Sequence, residues 1–435
     1  MKSHALFTAL LLGAAVTLRA DDAVPAGPLS LSQTLSIVLA RYPSIDAAQA
    51  AIDAARGQTA QSASERLPQL TAGGSYTYLS FRPNIAFGGG AFYTSAQDSY
   101  SANITLSQLL TDFGHTDAIV AAAKAGELSA KDALEETQHQ LGYQTIQGFY
   151  SVLLLRRSVA VADEDITSLD EALRIVQKKA NAGSATRFDV LTTQVRLANA
   201  RNHRTDTIAS LEKQEASLRQ LLGLPAGAPV ELTGEFGAVS AAPGLSDAVA
   251  EGIRNRPEMH LALDSESGAR AKLEAADRDN RPTIAAHASG ILADNSLPVL
   301  YTNRGYVSAG VSVSVPLWTS GRTEGDRLTA RSDLRSAQSR EKLLTQQIVD
   351  DVEIALADLR AAQARLENAD TLVAQAEEAL ALAKTRYTNG VITNFELLDA
   401  QSSAHAAELT RLQAHYDCVL ASYALARASG RAPSA

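Results

Sequence analysis

After Pro68, and again after Pro282, the spacing of apolar residues shortens from a helical period to strict alternation. Leu70, Ala72, Tyr76 and Tyr78 alternate with Thr71, Ser75 and Thr77, and Tyr100, Ala102, Ile104 and Leu106 alternate with Ser99, Ser101, Asn103 and Thr105. The pattern returns in Val307, Ala309, Val311, Val313 and Val315 against Tyr306, Ser308, Gly310, Ser312 and Ser314. It returns more weakly in Ile284, Ala286, Ala288 and Leu292 against His287 and Ser289. These runs predict two β-hairpins, at about 69–110 and about 283–317. Each strand is roughly ten residues long, enough for a tilted strand to cross a bilayer, so the apolar rows are candidates to face lipid. Four such strands cannot close a barrel, and bare edges would carry unpaired backbone groups into lipid, so copies from other chains are needed. The alternative is two amphipathic hairpins on a soluble core, but they stand between very long helices with no other strands to pair with.

Between the hairpins the period is helical. From about His115 to Asn181, and from about Arg322 to Asn389, there is no Pro and hardly any Gly, which predicts helices on the order of 100 Å long. In the second, Val352, Ala355, Leu359, Ala362, Leu366, Ala369, Val373, Ala376, Leu380, Ala383 and Tyr387 keep a 3,4 spacing; the first keeps it from Val152 to Val176. A large residue alternating with Ala lets helices approach closely, as in a coiled-coil seam, although bundle packing would use the same pattern. Each long helix ends at a Gly-containing turn and returns, over about 187–222 and about 394–429. Shorter helices are predicted at Ser44 to Arg66 and Glu258 to Asn280, with amphipathic pieces at Ser32 to Arg41 and Leu245 to Arg254 forming an outer belt.

The layout occurs twice. Gly114, Gly183, Phe188, Leu191 and Gly223 recur 207 residues later as Gly321, Gly390, Phe395, Leu398 and Gly430, and Pro43 and Pro68 recur as Pro257 and Pro282. A unit this long is no solenoid repeat; it predicts a duplicated module, 21–228 and 229–435, each copy supplying half of a larger object. Lys2 and His4 before the apolar run from Ala5 to Val16, then Leu18-Arg19-Ala20, read as a secretory signal peptide over 1–20. Losing Lys2 and Arg19 would take the formal charge from −9 to −11, which argues against nucleic acid as a partner. The single Cys418 excludes an intrachain disulfide and is expected to be buried in a helix. No Walker A, GxGxxG after a strand or HExxH is present, and His415 with Cys418 supplies only two ligands, so no enzyme, cofactor or metal is expected.

Two segments carry a resemblance. Val315-Pro316-Leu317-Trp318-Thr319-Ser320-Gly321-Arg322, and Arg386-Tyr387-Thr388-Asn389-Gly390 with Phe395-Glu396-Leu397-Leu398-Asp399-Ala400-Gln401, resemble the strand-to-helix junction and periplasmic-tip motifs of the TolC-type outer-membrane efflux family. That resemblance covers nearly all of the chain after the leader. It implies a mainly α fold with a transmembrane β-hairpin pair, assembled as a homotrimer with a 12-stranded β-barrel in outer-membrane lipid and a long periplasmic α-helical coiled-coil barrel. A periplasmic adaptor protein and an inner-membrane transporter would be the partners, and the chain would conduct rather than catalyse. A coiled-coil spacer of the envelope and a passive porin are the rival functions.

The resemblance also points to residues. Glu396 and Asp399 share a helix face and match an acidic aperture ring, able to concentrate cations and set selectivity. Thr393-x-x-Glu396 is equally a capping box. Tyr387 matches a tyrosine that bonds across helices to a carboxylate, here Asp189, which has its own capping reading with Thr186. Ile392 stands where the family's best-known member has a latch Arg, so closure is expected to be wired differently. Gly183, Ser184, Gly390 and Val391 match tips that meet the adaptor, and are also ordinary helix C-cap turns. Trp318, Phe113 and Tyr100 lie near strand ends, as an interfacial aromatic girdle or a packing element would.

Overall fold

In this computed structural model the described residues are 27–88, 90–93, 95–237, 242–294 and 304–432; the expected leader, 1–20, lies outside them. Helices α1 (Leu31–Arg41) and α2 (Pro43–Ser64) precede strand β1 (Gln69–Tyr78), the short strands β2 (Asn84–Phe87) and β3 (Gly90–Tyr93), and β4 (Asp98–Thr111). Then come α3 (His115–Asn181) and α4 (Arg187–Leu221). The second half repeats the order: α5 (Leu245–Asn255), α6 (Pro257–Arg278), β5 (Thr283–Asp294), β6 (Arg304–Ser314), α7 (Arg322–Thr388) and α8 (Asn394–Ala428). No described helix is long and apolar enough to cross a membrane.

Some helix boundaries and one hairpin differ from the sequence reading. α2 and α6 start one residue early, on Pro43 and Pro257, because proline's fixed φ suits the first helical position. α2 also stops two residues short of Arg66, where the Arg66 and Leu67 amides turn back to the Ala63 and Ser64 carbonyls. The loop after β1 carries the extra hairpin β2–β3, which no alternation in so short a stretch announces.

The four long strands form one antiparallel sheet in the order β1-β4-β5-β6. Its register sorts the residues by chemistry. Leu70 faces Leu106, Ala72 faces Ile104, Tyr76 faces Tyr100, Ala288 faces Ala309 and Ala286 faces Val311 on one surface. On the other, Ser75 and Ser101 share a 2.8 Å hydrogen bond, as do Ser289 and Ser308, and Asn103 donates to Thr105 at 3.3 Å. Ser99, Ser101, Asn103 and Thr105 of β4 are half-buried while Tyr100, Ala102, Ile104 and Leu106 are exposed. β1 and β6 have one unpaired edge each.

Where strands give way to helices, both copies make the same turn. Phe113 and Gly114, then Ser320 and Gly321, adopt positive φ in succession (55°, 90°, 52° and 87°). A Cβ in this region costs about 1–3 kcal/mol, so the second position of each pair is glycine. Asp112 steadies the first turn by accepting from the Gly114 and Thr116 amides, at 3.0 and 2.7 Å. Arg278 ties α6 to it through the Gly114 carbonyl at 2.8 Å.

α3 is the central column. α2 and α6 pack along its first part, α4 and α8 along the rest, while α6 and α8 also pack on α7. The core is a series of patches rather than one mass: Phe149, Ile146 and Tyr150 with Leu31, Leu35 and Val419; Val152 and Leu218 with Val38; Ile348, Val352 and Leu359 with Leu425. The α7 seam is buried at Val352, Ala355, Leu359, Ala362, Ala369 and Val373 and only half-buried from Ala376 to Tyr387. Cys418 lies buried in α8, which pushes its thiol pKa up.

Candidate functional site at the helical hairpin ends

The ends of α3 and α7 are built alike. Gly183 and Gly390 take φ of 77° and 72°, and the amides beyond them reach back, Ser184 to the Lys179 carbonyl at 2.8 Å and Val391 to the Arg386 carbonyl at 2.9 Å. These bonds satisfy carbonyls that the helix end would leave unpaired. Both turns are exposed.

Each return helix opens on a reciprocal cap. The Thr186 amide and hydroxyl donate to Asp189 Oδ2 at 2.9 and 2.7 Å, and the Asp189 amide donates to Thr186 Oγ1 at 3.1 Å. Thr393 and Glu396 do the same at 2.7, 2.8 and 3.3 Å. The backbone and side-chain hydrogen bonds from Thr393 hold the Glu396 carboxyl below its ordinary range. Both acids are therefore engaged locally. Asp399, one turn deeper, is exposed and has no intrachain partner among the described residues.

Tyr387 is half-buried with Lys179 Nζ 3.8 Å from its ring centroid, and its phenol is raised first by burial and then by the negative charge of Asp189. It borders a groove of ≈ 410 Å³ whose lining includes Lys179, Lys384, Asn394, Leu397 and Gln401.

Several contacts joining the two helical hairpins were not singled out from sequence. Asn394 Nδ2 donates to Thr193 Oγ1 at 3.0 Å in a buried contact between α8 and α4. Arg196 donates to the Leu398 carbonyl at 3.0 Å and stacks near Phe395. Gln401 donates to Ser168 at 3.1 Å, and His405 Nε2 lies 3.2 Å from Asp165 Oδ1. Leu398, Leu197, Leu169 and Ala172 form the apolar patch beneath them. The signal that could have found part of this set is a departure from the repeat. Tyr387, Asn394 and His405 correspond by the same offset to Ala180, Arg187 and Ala198.

The aromatic residues sit at opposite ends of the sheet. Tyr100 lies 5.0 Å from Tyr76, ring centre to ring centre and tilted by 35°, at the loop end, whereas Phe113 and Trp318 follow the other ends of β4 and β6, with Trp318 87% exposed. His415 stacks on Phe236, and the described residues contain no cluster of three or more His, Cys, Asp or Glu suited to a metal.

Against known proteins, the family described as outer membrane efflux protein matches residues 34–224 and 249–431. The outer membrane efflux protein BepC of Brucella suis biovar 1 is 26% identical over 425 residues, covering 97% of this chain and 90% of BepC. Among solved structures, the CmeC outer membrane channel of Campylobacter jejuni superposes with a TM-score of 0.80 at 15% identity, over 93% of this chain and 87% of CmeC. The outer membrane protein VceC of Vibrio cholerae superposes at 0.78 with 19% identity, over 93% of this chain and 97% of VceC. The duplicated, mostly helical fold with its small sheet is the fold of these channels.

Proposed function

Because the chain belongs to the outer membrane efflux protein family, we propose that it works as one third of a homotrimeric exit duct, docked by a periplasmic adaptor and fed by an inner-membrane transporter. It is an outer-membrane efflux channel that extends into the periplasm. The observation that carries the trimer is the sheet, apolar on one face, polar on the other and open at β1 and β6. Pairing β6 of one copy with β1 of the next removes every edge from lipid. Three copies of four strands make twelve. At a strand spacing of about 4.8 Å and a tilt of about 40°, such a barrel is roughly 24 Å across, wide enough to hold water.

Solute would then enter at the helical hairpin ends, travel between the helices and leave through the barrel, with no energy supplied by this chain. The exposed Asp399 would provide the aperture ring, Tyr387 with Asp189 part of its closure, and Gly183, Ser184, Gly390 and Val391 the surface that meets the adaptor. Trp318, Phe113 and Tyr100 would mark the two water–lipid boundaries. Glu396 contributes less to a ring than Asp399 because its carboxylate is engaged by Thr393. The test is to reconstitute the purified protein into planar bilayers and to run the unheated and heated protein on gels. Heat-sensitive trimers with single-channel conductance are expected; a water-soluble monomer that never conducts would refute the reading.

A further inference from the structure

We propose that Asp165 and His405 form a proton-sensitive clasp that holds the α7–α8 hairpin against α3, so that acid keeps the duct shut and alkali loosens it. The inference rests on the duct reading and adds to it a regulatory input at the closed end. Its geometric basis is the line along which α3 meets α8. Gln401 donates to Ser168 at 3.1 Å, His405 Nε2 meets Asp165 Oδ1 at 3.2 Å, and the hydroxyls of Ser151 and Tyr416 lie 2.8 Å apart. These rungs follow one antiparallel register, and only the middle one joins a carboxyl to an imidazole.

The duplication shows that the ionisable rung is not part of the shared plan. By the repeat offset, Asp165 corresponds to Leu372 and His405 to Ala198. In a closed ring the equivalent joint, α7 against a neighbour's α4, would therefore meet through an apolar pair that carries no proton. Acid and base have been placed at one kind of joint and not at the other. A ring that opens by parting only one kind of joint would sense protons there alone.

The sign of the effect follows from burial. Asp165 is about three-quarters covered, with 26% of its side chain exposed, and His405 is 21% exposed. Burial pushes the Asp165 carboxyl up, against the opposing pull of His405 from α8 and of His203 and Arg196 from α4. Neighbouring charges are already engaged: Asp163 with Arg204, Asp170 with Arg201, and Glu408 with Arg411. The closed joint thus holds a proton more tightly than a parted, water-filled one. By linkage, closure is favoured at low pH, and that preference is lost as rising pH strips the proton from the buried pair. Once the proton leaves, a half-buried carboxylate faces a neutral imidazole, and the bond between them loses its charge assistance.

The experiment uses the full-length protein in planar bilayers at fixed voltage, with open probability recorded from about pH 4.5, just above the ordinary carboxylate range, to about pH 8.5. Wild type is expected to open on the order of 10²-fold more often at the alkaline end, because losing charge assistance is worth roughly fivefold per clasp and the three clasps of a trimer part together. Asp165→Asn and His405→Gln should each flatten that profile while leaving the conductance of the open channel unchanged. A flat wild-type profile, or a slope that survives in either variant, overturns the clasp. Should Asp165→Asn fail to assemble into heat-sensitive oligomers, His405→Gln, whose amide still donates to Asp165, carries the test. Absence of channels at every pH would instead overturn the duct reading beneath it.

Discussion

Replacing Asn394 with Ala should unfasten the closed end more than any change at the exposed acids. Asn394 is 6% exposed and its amide donates to Thr193 Oγ1 at 3.0 Å; Thr193 is fully buried, its own hydroxyl already committed to the Asp189 carbonyl at 2.8 Å. Truncation removes a neutral hydrogen bond, about 1 kcal/mol, and leaves a buried lone pair on Thr193 with no replacement donor, so about 1.5 kcal/mol per chain is a fair total. That is roughly tenfold in the balance between closed and parted for one chain. If three chains part together, about 4.5 kcal/mol corresponds to a factor on the order of 10³. The assay is open probability in planar bilayers, paired with the sensitivity of expressing cells to a large antibiotic that normal outer membranes exclude. Asn394→Ser, which keeps a hydroxyl donor but shortens the reach, should fall between. An unchanged open probability in properly assembled Asn394→Ala would refute the idea that the α4–α8 contact restrains the aperture.

Asp399→Ala should lower cation preference, read as a shift of reversal potential in a salt gradient, with little change in thermal stability because the carboxylate has no partner among the described residues; unchanged selectivity would remove Asp399 from the ring. Glu396→Ala, which removes the acceptor for the Thr393 amide, should fray the first turn of α8. In wild type the same cap is at full strength above the ordinary carboxylate range and is lost as pH falls through the lowered value, so hydrogen exchange at the Glu396 amide should accelerate in acid in wild type and be pH-insensitive, beyond intrinsic exchange chemistry, in the variant. Phe149→Ala should cost about 3–5 kcal/mol and lower the thermal midpoint, since Phe149 is 1% exposed in the patch that joins α1, α3 and α8; a loss under 1 kcal/mol by denaturant titration would contradict that packing.

Much of the architecture was legible because two simple periods carry it. Alternation at Leu70–Tyr78 and Val307–Val315 separates a lipid-compatible face from a polar one, since successive strand side chains must point in opposite directions. The 3,4 spacing from Val352 onward commits one stripe of a long helix to burial in the same way. Gly183 and Gly390, at the same place in the repeat, marked the turns that end the long helices. The capping boxes at Thr186 and Thr393 were also readable, because their partners lie only three residues away.

What periodicity could not supply was which acid remains available and which helices are joined across long separations. Sequence left Glu396 with two readings, ring member and cap; the folded chain engages its carboxylate with Thr393, while Asp399 has no partner among the described residues. Asn394 with Thr193, Gln401 with Ser168 and His405 with Asp165 are about 200 residues or more apart, and nothing local to any of them names its partner. Local rules act through neighbours on the same helix or strand, so the chain alone determined its elements, their buried faces and the doubled plan. Pairing between α4 or α3 and α8 depends on the packing angle and register of whole helices, which arise only when the two halves dock, and so tertiary structure alone decided how the two helical hairpins are joined.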